Sequence, residues 1–162
     1  MSLKKTKEIK LSTLLKEKFI NLQLTAVDKP QIILELVELI AKSKKITNKK
    51  SFLKIMLERE KLGSTGIGAG VAIPHGKSEA VRAFVLVFAR CDKGIDFGAL
   101  DGEKTYLFFA LASPKKEVGM HLKVLAEIAH LVKDKFIVEL LKKAKNKEEV
   151  LKIITSTAAR PR

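Results

Sequence analysis

Two apolar runs, Ala83 to Ala89 and Thr105 to Ala112, limit what this chain can become more than any other feature. Both are rich in Val, Phe, Leu and Tyr taken together, show little polar alternation, and are short enough to be strands buried on both faces. Such strands need cover. Helical patterns occur before and after the pair, which implies an α/β sandwich with helices covering a sheet. Between the runs, Asp92 to Glu103 carries Gly94, Gly98 and Gly102 and reads as a looped excursion.

The flanking patterns have defined ends. Phe19 to Leu24 alternates, with Ile20, Leu22 and Leu24 apolar and Asn21 and Gln23 polar, as in a short strand with one wet face. Asp28-Lys29-Pro30-Gln31 combines an N-cap residue with a Pro in the first turn, so a helix starts there and buries Ile32, Ile33, Leu36, Val37 and Ile40. Thr47 and Asn48 offer an N-cap for a second helix reaching about Leu62, which Gly63 is placed to stop. In it Phe52, Ile55, Met56 and Arg59 fall on one stripe, expected to face inward, while Lys50, Lys54, Glu58 and Lys61 share the outer one. The pattern is helical again from Gly119 to about Val132 and from Asp134 to Ala144. Asn146-Lys147-Glu148-Glu149 is a capping box opening a last helix that buries Val150, Ile153 and Ile154.

A chain of 162 residues without a Pro/Gly/Ser-rich divider or internal repeat is expected to form one domain, residues 1–162, with 1–10 a loose Lys-rich lead-in. Cys91 is the only cysteine, so there is no internal disulfide and no Cys pair to start a zinc site. A reducing cytoplasm fits best. The longest unbroken apolar stretch, Tyr106 to Ala112, is far short of the ~20 residues of a membrane span. The N-terminus also lacks a signal-peptide apolar region, so the expectation is a cytoplasmic protein with no membrane insertion. A net charge of +14 raises nucleic acid as a partner. Against that, only five of the 32 basic residues are Arg and the lysines are scattered, so a solvated Lys surface is expected and nucleic acid is not.

Chemistry concentrates in a few residues. Gly63-Ser64-Thr65-Gly66-Ile67-Gly68-Ala69-Gly70 places four glycines in eight residues, which is useful where the backbone needs positive φ or close approach. A phosphate-binding P-loop requires four residues before its Gly-Lys-Ser, whereas five separate Gly70 from Gly76-Lys77-Ser78. A dinucleotide fingerprint needs a strand before its glycines, and here a helix precedes them. A loop that merely turns the chain remains an alternative. His75, between Pro74 and Gly76, cannot belong to a regular helix and is expected at a loop tip beside unpaired N–H groups, where neutral imidazole is a usable nucleophile near pH 7. An ordinary surface histidine is the alternative. His121 lies on the apolar side of its helix with Leu125, Ile128 and Val132, whereas His130 faces outward with Lys123 and Glu127, an arrangement that argues against a zinc site. His121 is either a core histidine or a polar ring at a helix N-terminus that meets a phosphoryl oxygen. Arg59, if buried, needs an anion: a carboxylate such as Glu60 or Asp101, or a phosphate.

At this point the residues resemble a known family. Arg59-Glu60-Lys61-Leu62-Gly63-Ser64-Thr65-Gly66-Ile67-Gly68 followed by Val71-Ala72-Ile73-Pro74-His75-Gly76 is similar to the fructose/mannitol-type IIA component of the bacterial phosphoenolpyruvate-dependent phosphotransferase system, including its nitrogen-related regulatory branch. Ile95-Asp96-Phe97, Ala99-Leu100-Asp101-Gly102, Ser113-Pro114 and Met120-His121-Leu122 follow the same pattern, and the likeness runs from about Leu14 to Ile154. The resemblance implies a single mixed β-sheet flanked by helices. It further implies that His75 is the phosphorylated histidine, with Arg59 and His121 completing the site and a loop including Thr65, Gly66 and Gly68 beside the phosphate. An HPr-type phosphocarrier would supply the phosphoryl group. A IIB component of a sugar transporter would receive it, or the phosphorylation state would regulate other proteins; no metal or other cofactor is required. Because a chain of this charge would repel a basic partner, an apolar docking patch including Ile67, Val71 and Phe97 is expected around His75.

Overall fold

The computed structural model describes residues 10–158, so the expectation for the extreme N-terminus lies outside the described residues apart from Lys10. The chain runs α1 (Leu11–Leu14), a 3-10 turn (Glu17–Phe19), β1 (Ile20–Asn21), α2 (Lys29–Ala41), α3 (Lys49–Lys61), β2 (Gly66–Gly68), β3 (Val71–Ala72), β4 (His75–Ser78), β5 (Val85–Ile95), β6 (Thr105–Pro114), α4 (Val118–Val132), α5 (Lys135–Lys143) and α6 (Lys147–Ala158).

The two apolar runs form the centre. β5 and β6 pair antiparallel, Val85 opposite Ala112 through Arg90 opposite Leu107, and Leu86, Val87, Phe88, Leu107, Phe108 and Phe109 are fully buried. Burying a large apolar side chain stabilises by about 1.5–3 kcal/mol, which makes this pair the anchor of the core. β1 adds parallel to β5, while β3 and β4 lie parallel along the other edge of β6, giving a mixed sheet in the order β1-β5-β6-β3-β2 with β4 also on β6. α2 and α3 pack together against β5 and β4, and α1, α4, α5 and α6 form the other helical layer, in contact with β5 and β6. Local signals set the helix starts: the side chains of Asp28, Asn48 and Asn146 accept from the backbone N–H groups of Gln31, Ser51 and Glu149. No helix among the described residues is long and apolar enough to cross a membrane.

Three expectations need correction. The strand at Phe19 to Leu24 is reduced to Ile20–Asn21, because the Asn21 side chain accepts from Gln23 N–H and turns the chain; only Leu24 N–H rejoins the sheet, at Arg90. β5 does not stop at Ala89 but continues through polar residues to Ile95, with an irregularity in register between Arg90 and Ile95, so the looped excursion begins later than expected. The glycine-rich segment is partly strand. Gly66–Gly68 and Val71–Ala72 make a hairpin whose turn residues, Ala69 and Gly70, both have positive φ.

Candidate functional site

His75 opens strand β4 instead of capping a loop, for a reason visible in β6. After β3 the chain bends at Pro74, whose carbonyl accepts from Leu111 N–H, and β4 then resumes the same edge with His75 opposite Leu111 and Lys77 opposite Ser113. Side chains alternate along this strand, so His75 and Lys77 share one face while Gly76 looks to the other. On that other face α3 lies so close that a Cβ at Gly76 would sit 3.0 Å from Met56 Sδ and 3.3 Å from Ile55 and Phe52. Gly76 thereby lets the helix carrying Arg59 press against the strand carrying His75.

The His75 ring is half-buried and so still reachable. Its Nδ1 lies 2.7 Å from the Ile73 carbonyl oxygen. A carbonyl only accepts, so Nδ1 carries the proton and Nε2 keeps a free lone pair. The His121 ring stands beside it, centroids 5.4 Å apart and planes tilted by 58°. His121 is 3% exposed, and its Nδ1 lies 2.7 Å from Ser113 Oγ. A hydroxyl can donate or accept, so this contact fits either tautomer; in the one where Ser113 donates to Nδ1, the proton sits on Nε2 and can be given to a ligand oxygen. Both imidazoles hold protons weakly. Burial is the main cause for each; His75 is lowered further by the charges of Arg59 and Lys77 against the opposing effects of the Ile73 hydrogen bond and Glu60, and His121 falls to about 4 with His75 and Lys77 contributing. His130 is exposed on the far side of α4, as its spacing implied.

Arg59 is not buried. The inward stripe of α3 is Phe52, Met56 and Glu60, so the helix is rotated from the expected setting and Arg59 sits half-exposed with Nη1 donating to the Gly63 carbonyl at 2.9 Å. Neither Glu60 nor Asp101 is its ion-pair partner. Glu60 takes the buried position because three groups satisfy its carboxylate: Lys29 at 2.7 Å, Thr65 N–H at 3.2 Å and the Thr65 hydroxyl. Lys29 also lies 4.5 Å from the Phe97 ring centre, and Ser64 Oγ donates to the Phe97 carbonyl while accepting from Gly66 N–H. Asp101 instead accepts from Ala69 and Glu103 N–H groups, which hold its carboxyl below the usual range.

The glycine-rich segment is therefore a buttress, and two of its expected phosphate donors, Thr65 and Gly66, have their N–H groups engaged within the protein. Gly68 pairs with Val71 in the hairpin. The expected apolar patch changes as well: Val71 and Phe97 are fully buried, since one is a β3 rung on β6 and the other stacks edge-on against Phe108, and only Ile67 is exposed. Exposed apolar residues near the site are instead Leu62, Leu100 and Leu122, Leu100 being bound through its N–H to Gly66. The sequence named Glu60, Lys77 and Ser113 without the places they take here: Glu60 was offered as a partner for Arg59 and instead pairs with Lys29, and Lys77 and Ser113 were given no role beside the two rings. A lone hydroxyl ending an apolar strand and a Lys two residues beyond His75 were the available signals.

Comparison with known proteins extends this picture. The family model described as phosphoenolpyruvate-dependent sugar phosphotransferase system, EIIA 2, matches residues 13–157. A nitrogen regulatory protein of Bradyrhizobium diazoefficiens is 39% identical over 121 residues, 74% of this chain and 79% of its own. The fructose-specific EIIABC component of Bacillus subtilis is 31% identical over 90% of this chain, which spans 23% of that longer protein. Among solved structures, nitrogen regulatory protein IIA-Ntr from Neisseria meningitidis superposes with a TM-score of 0.84 at 33% identity, covering 89% of this chain and 98% of its own. The Escherichia coli mannitol IIA in complex with phosphorylated mannitol IIB gives 0.76 at 26% identity, covering 88% and 97%.

Proposed function

Because this chain belongs to the EIIA 2 family of the phosphoenolpyruvate-dependent sugar phosphotransferase system, we propose that it is a phosphocarrier whose His75 accepts a phosphoryl group from an HPr-type donor and passes it to a protein acceptor. The observation that carries this reading is the pairing of the two imidazoles, 5.4 Å apart, with His75 Nδ1 tied to a carbonyl so that Nε2 is the free nucleophile. Lowered proton affinity keeps that nitrogen unprotonated at neutral pH.

In the transfer, His75 Nε2 forms a bond to phosphorus as the donor's bond to phosphorus breaks, and the donor group departs in line with its electron pair. The transition state is loose and spreads charge over three equatorial oxygens, so the protein contributes position and electrostatics. His121 Nε2–H donates to one oxygen. Arg59, with donors beyond the one engaged by Gly63, binds others. Each charge-assisted hydrogen bond contributes about 1.5–3 kcal/mol. Transfer onward is the same step reversed onto a new nucleophile.

The acceptor is a IIB component serving sugar uptake, a reading supported by the mannitol IIA that was solved with phosphorylated IIB. A second reading, regulation through phosphorylation state, is favoured by the higher identities to nitrogen regulatory proteins. Incubation of the full chain with a phosphorylated HPr-type donor is expected to place an acid-labile phosphoryl group on His75 and none on a folded His75→Ala variant. Equal labelling of that variant refutes the assignment. Adding purified IIB proteins then separates the two readings, since only the first expects the label to move.

A further inference from the structure

We propose that Lys77 is a further phosphate-binding residue, whose ammonium holds an oxygen of the phosphoryl group carried by His75; this rests on the phosphocarrier reading above. The placement follows from strand geometry. His75 and Lys77 are two residues apart on β4, about 6.6 Å along a strand, and their side chains leave the same face. Across the ladder Lys77 is the register partner of Ser113, the residue whose hydroxyl holds the His121 ring. One side of the β4/β6 ladder thus carries His75 on one rung and Lys77 with Ser113 on the next, with His121 above them. The four-carbon stem of lysine is long enough to bring its ammonium back over the neighbouring rung, where three rotatable donors suit a phosphoryl oxygen.

Electrostatics points the same way. After burial, Lys77 is among the charges that lower proton affinity in both rings, so its ammonium acts on the space between them. The charges of Arg59 and Glu60 also act on His75, one lowering and one raising its affinity, whereas the further influences on His121 come from His75 and Lys77. Unlike Arg59, which is engaged by the Gly63 carbonyl, Lys77 is exposed and free to swing. A cation so placed favours neutral imidazole before transfer and neutralises the phosphoryl charge after it.

Potassium phosphoramidate tests this without a protein donor. His75 Nε2 attacks phosphorus, the phosphorus–nitrogen bond of the reagent breaks, and the amine leaves as ammonia with the protons it already carries. Initial rates of acid-labile phosphate incorporation would be followed from pH 5 to 9 for the wild-type chain, Lys77→Gln, Lys77→Arg and His75→Ala. The expected result is a roughly tenfold to hundredfold slower Lys77→Gln, the range that one charge-assisted hydrogen bond commands. Its acid limb should move to higher pH because a cation near both rings is gone, and Lys77→Arg should recover most of the rate. A Lys77→Gln variant as fast as wild type overturns the assignment, as does a Lys77→Arg variant equally slow, which would indicate a disturbed strand. If wild type takes up no phosphate on His75, the phosphocarrier reading itself fails and Lys77 falls with it.

Discussion

His121 shows at the residue scale how burial becomes chemistry. The folded chain binds its proton only near pH 4, whereas the unfolded chain binds it near 6.5. Between those values the unfolded state holds more protons, so the stability contributed by neutral His121 is complete above 6.5 and is lost as pH falls toward 4. The window is worth up to about 3 kcal/mol. Thermal melts at pH 7, 5.5 and 4.5 should therefore show wild type losing stability faster than His121→Asn, which keeps a polar group near Ser113 but does not titrate. Parallel slopes for the two proteins would refute the proton affinity argued here. His75 shifts in the same direction and adds to the slope of both proteins alike, so the difference between them reports His121. Ser113, which the motif pattern includes without assigning it a task, acts on the same ring by fixing its orientation.

Among the elements, α3 and β4 are the decisive pair. Gly76→Ala would drive a methyl group into Met56, Ile55 and Phe52, two of them fully buried, and should destabilise the fold by about 1–3 kcal/mol, measured by urea unfolding. It should also slow phosphoryl uptake by displacing the helix that carries Arg59. Most of the elements could be read from the chain because their ends are written locally: Asp28, Asn48 and Asn146 cap as expected, and the apolar runs become β5 and β6. The rotation of α3 could not be read that way. A stripe of Phe52, Ile55, Met56 and Arg59 differs by a fraction of a turn from one ending at Glu60, and the choice depends on Lys29 and Thr65, which lie outside the helix. The β2–β3 hairpin was equally hidden, since glycines carry no alternation to reveal a strand. The family resemblance joined His75 and His121, whose spacing alone left each with an ordinary reading, and their rings stand 5.4 Å apart; Val71 and Phe97, expected on a docking patch, are buried, and Thr65 is bound to Glu60.

For the whole molecule the question is how a chain of net charge +14 meets its partners. Exposed Leu62, Ile67, Leu100 and Leu122 stand on the segments that carry the site, and desolvating such residues drives association without help from charge. Replacing Leu62 and Leu100 together by Ser should weaken phosphoryl uptake from a protein donor at least tenfold through KM, while uptake from a small phosphodonor stays unchanged. Loss of both activities, or a defect reproduced by surface Lys substitutions and relieved by salt, would contradict this.

The bond between His75 Nδ1 and the Ile73 carbonyl joins residues only two apart. In the phosphocarrier proposed above, which nitrogen can react is thus decided within a tripeptide held stiff by Pro74, while how readily it reacts is decided by α3, β6 and α4. Regiochemistry here is a local inheritance and reactivity a collective one: remodelling the surrounding layers would tune the rate of phosphoryl exchange without changing the atom that carries it.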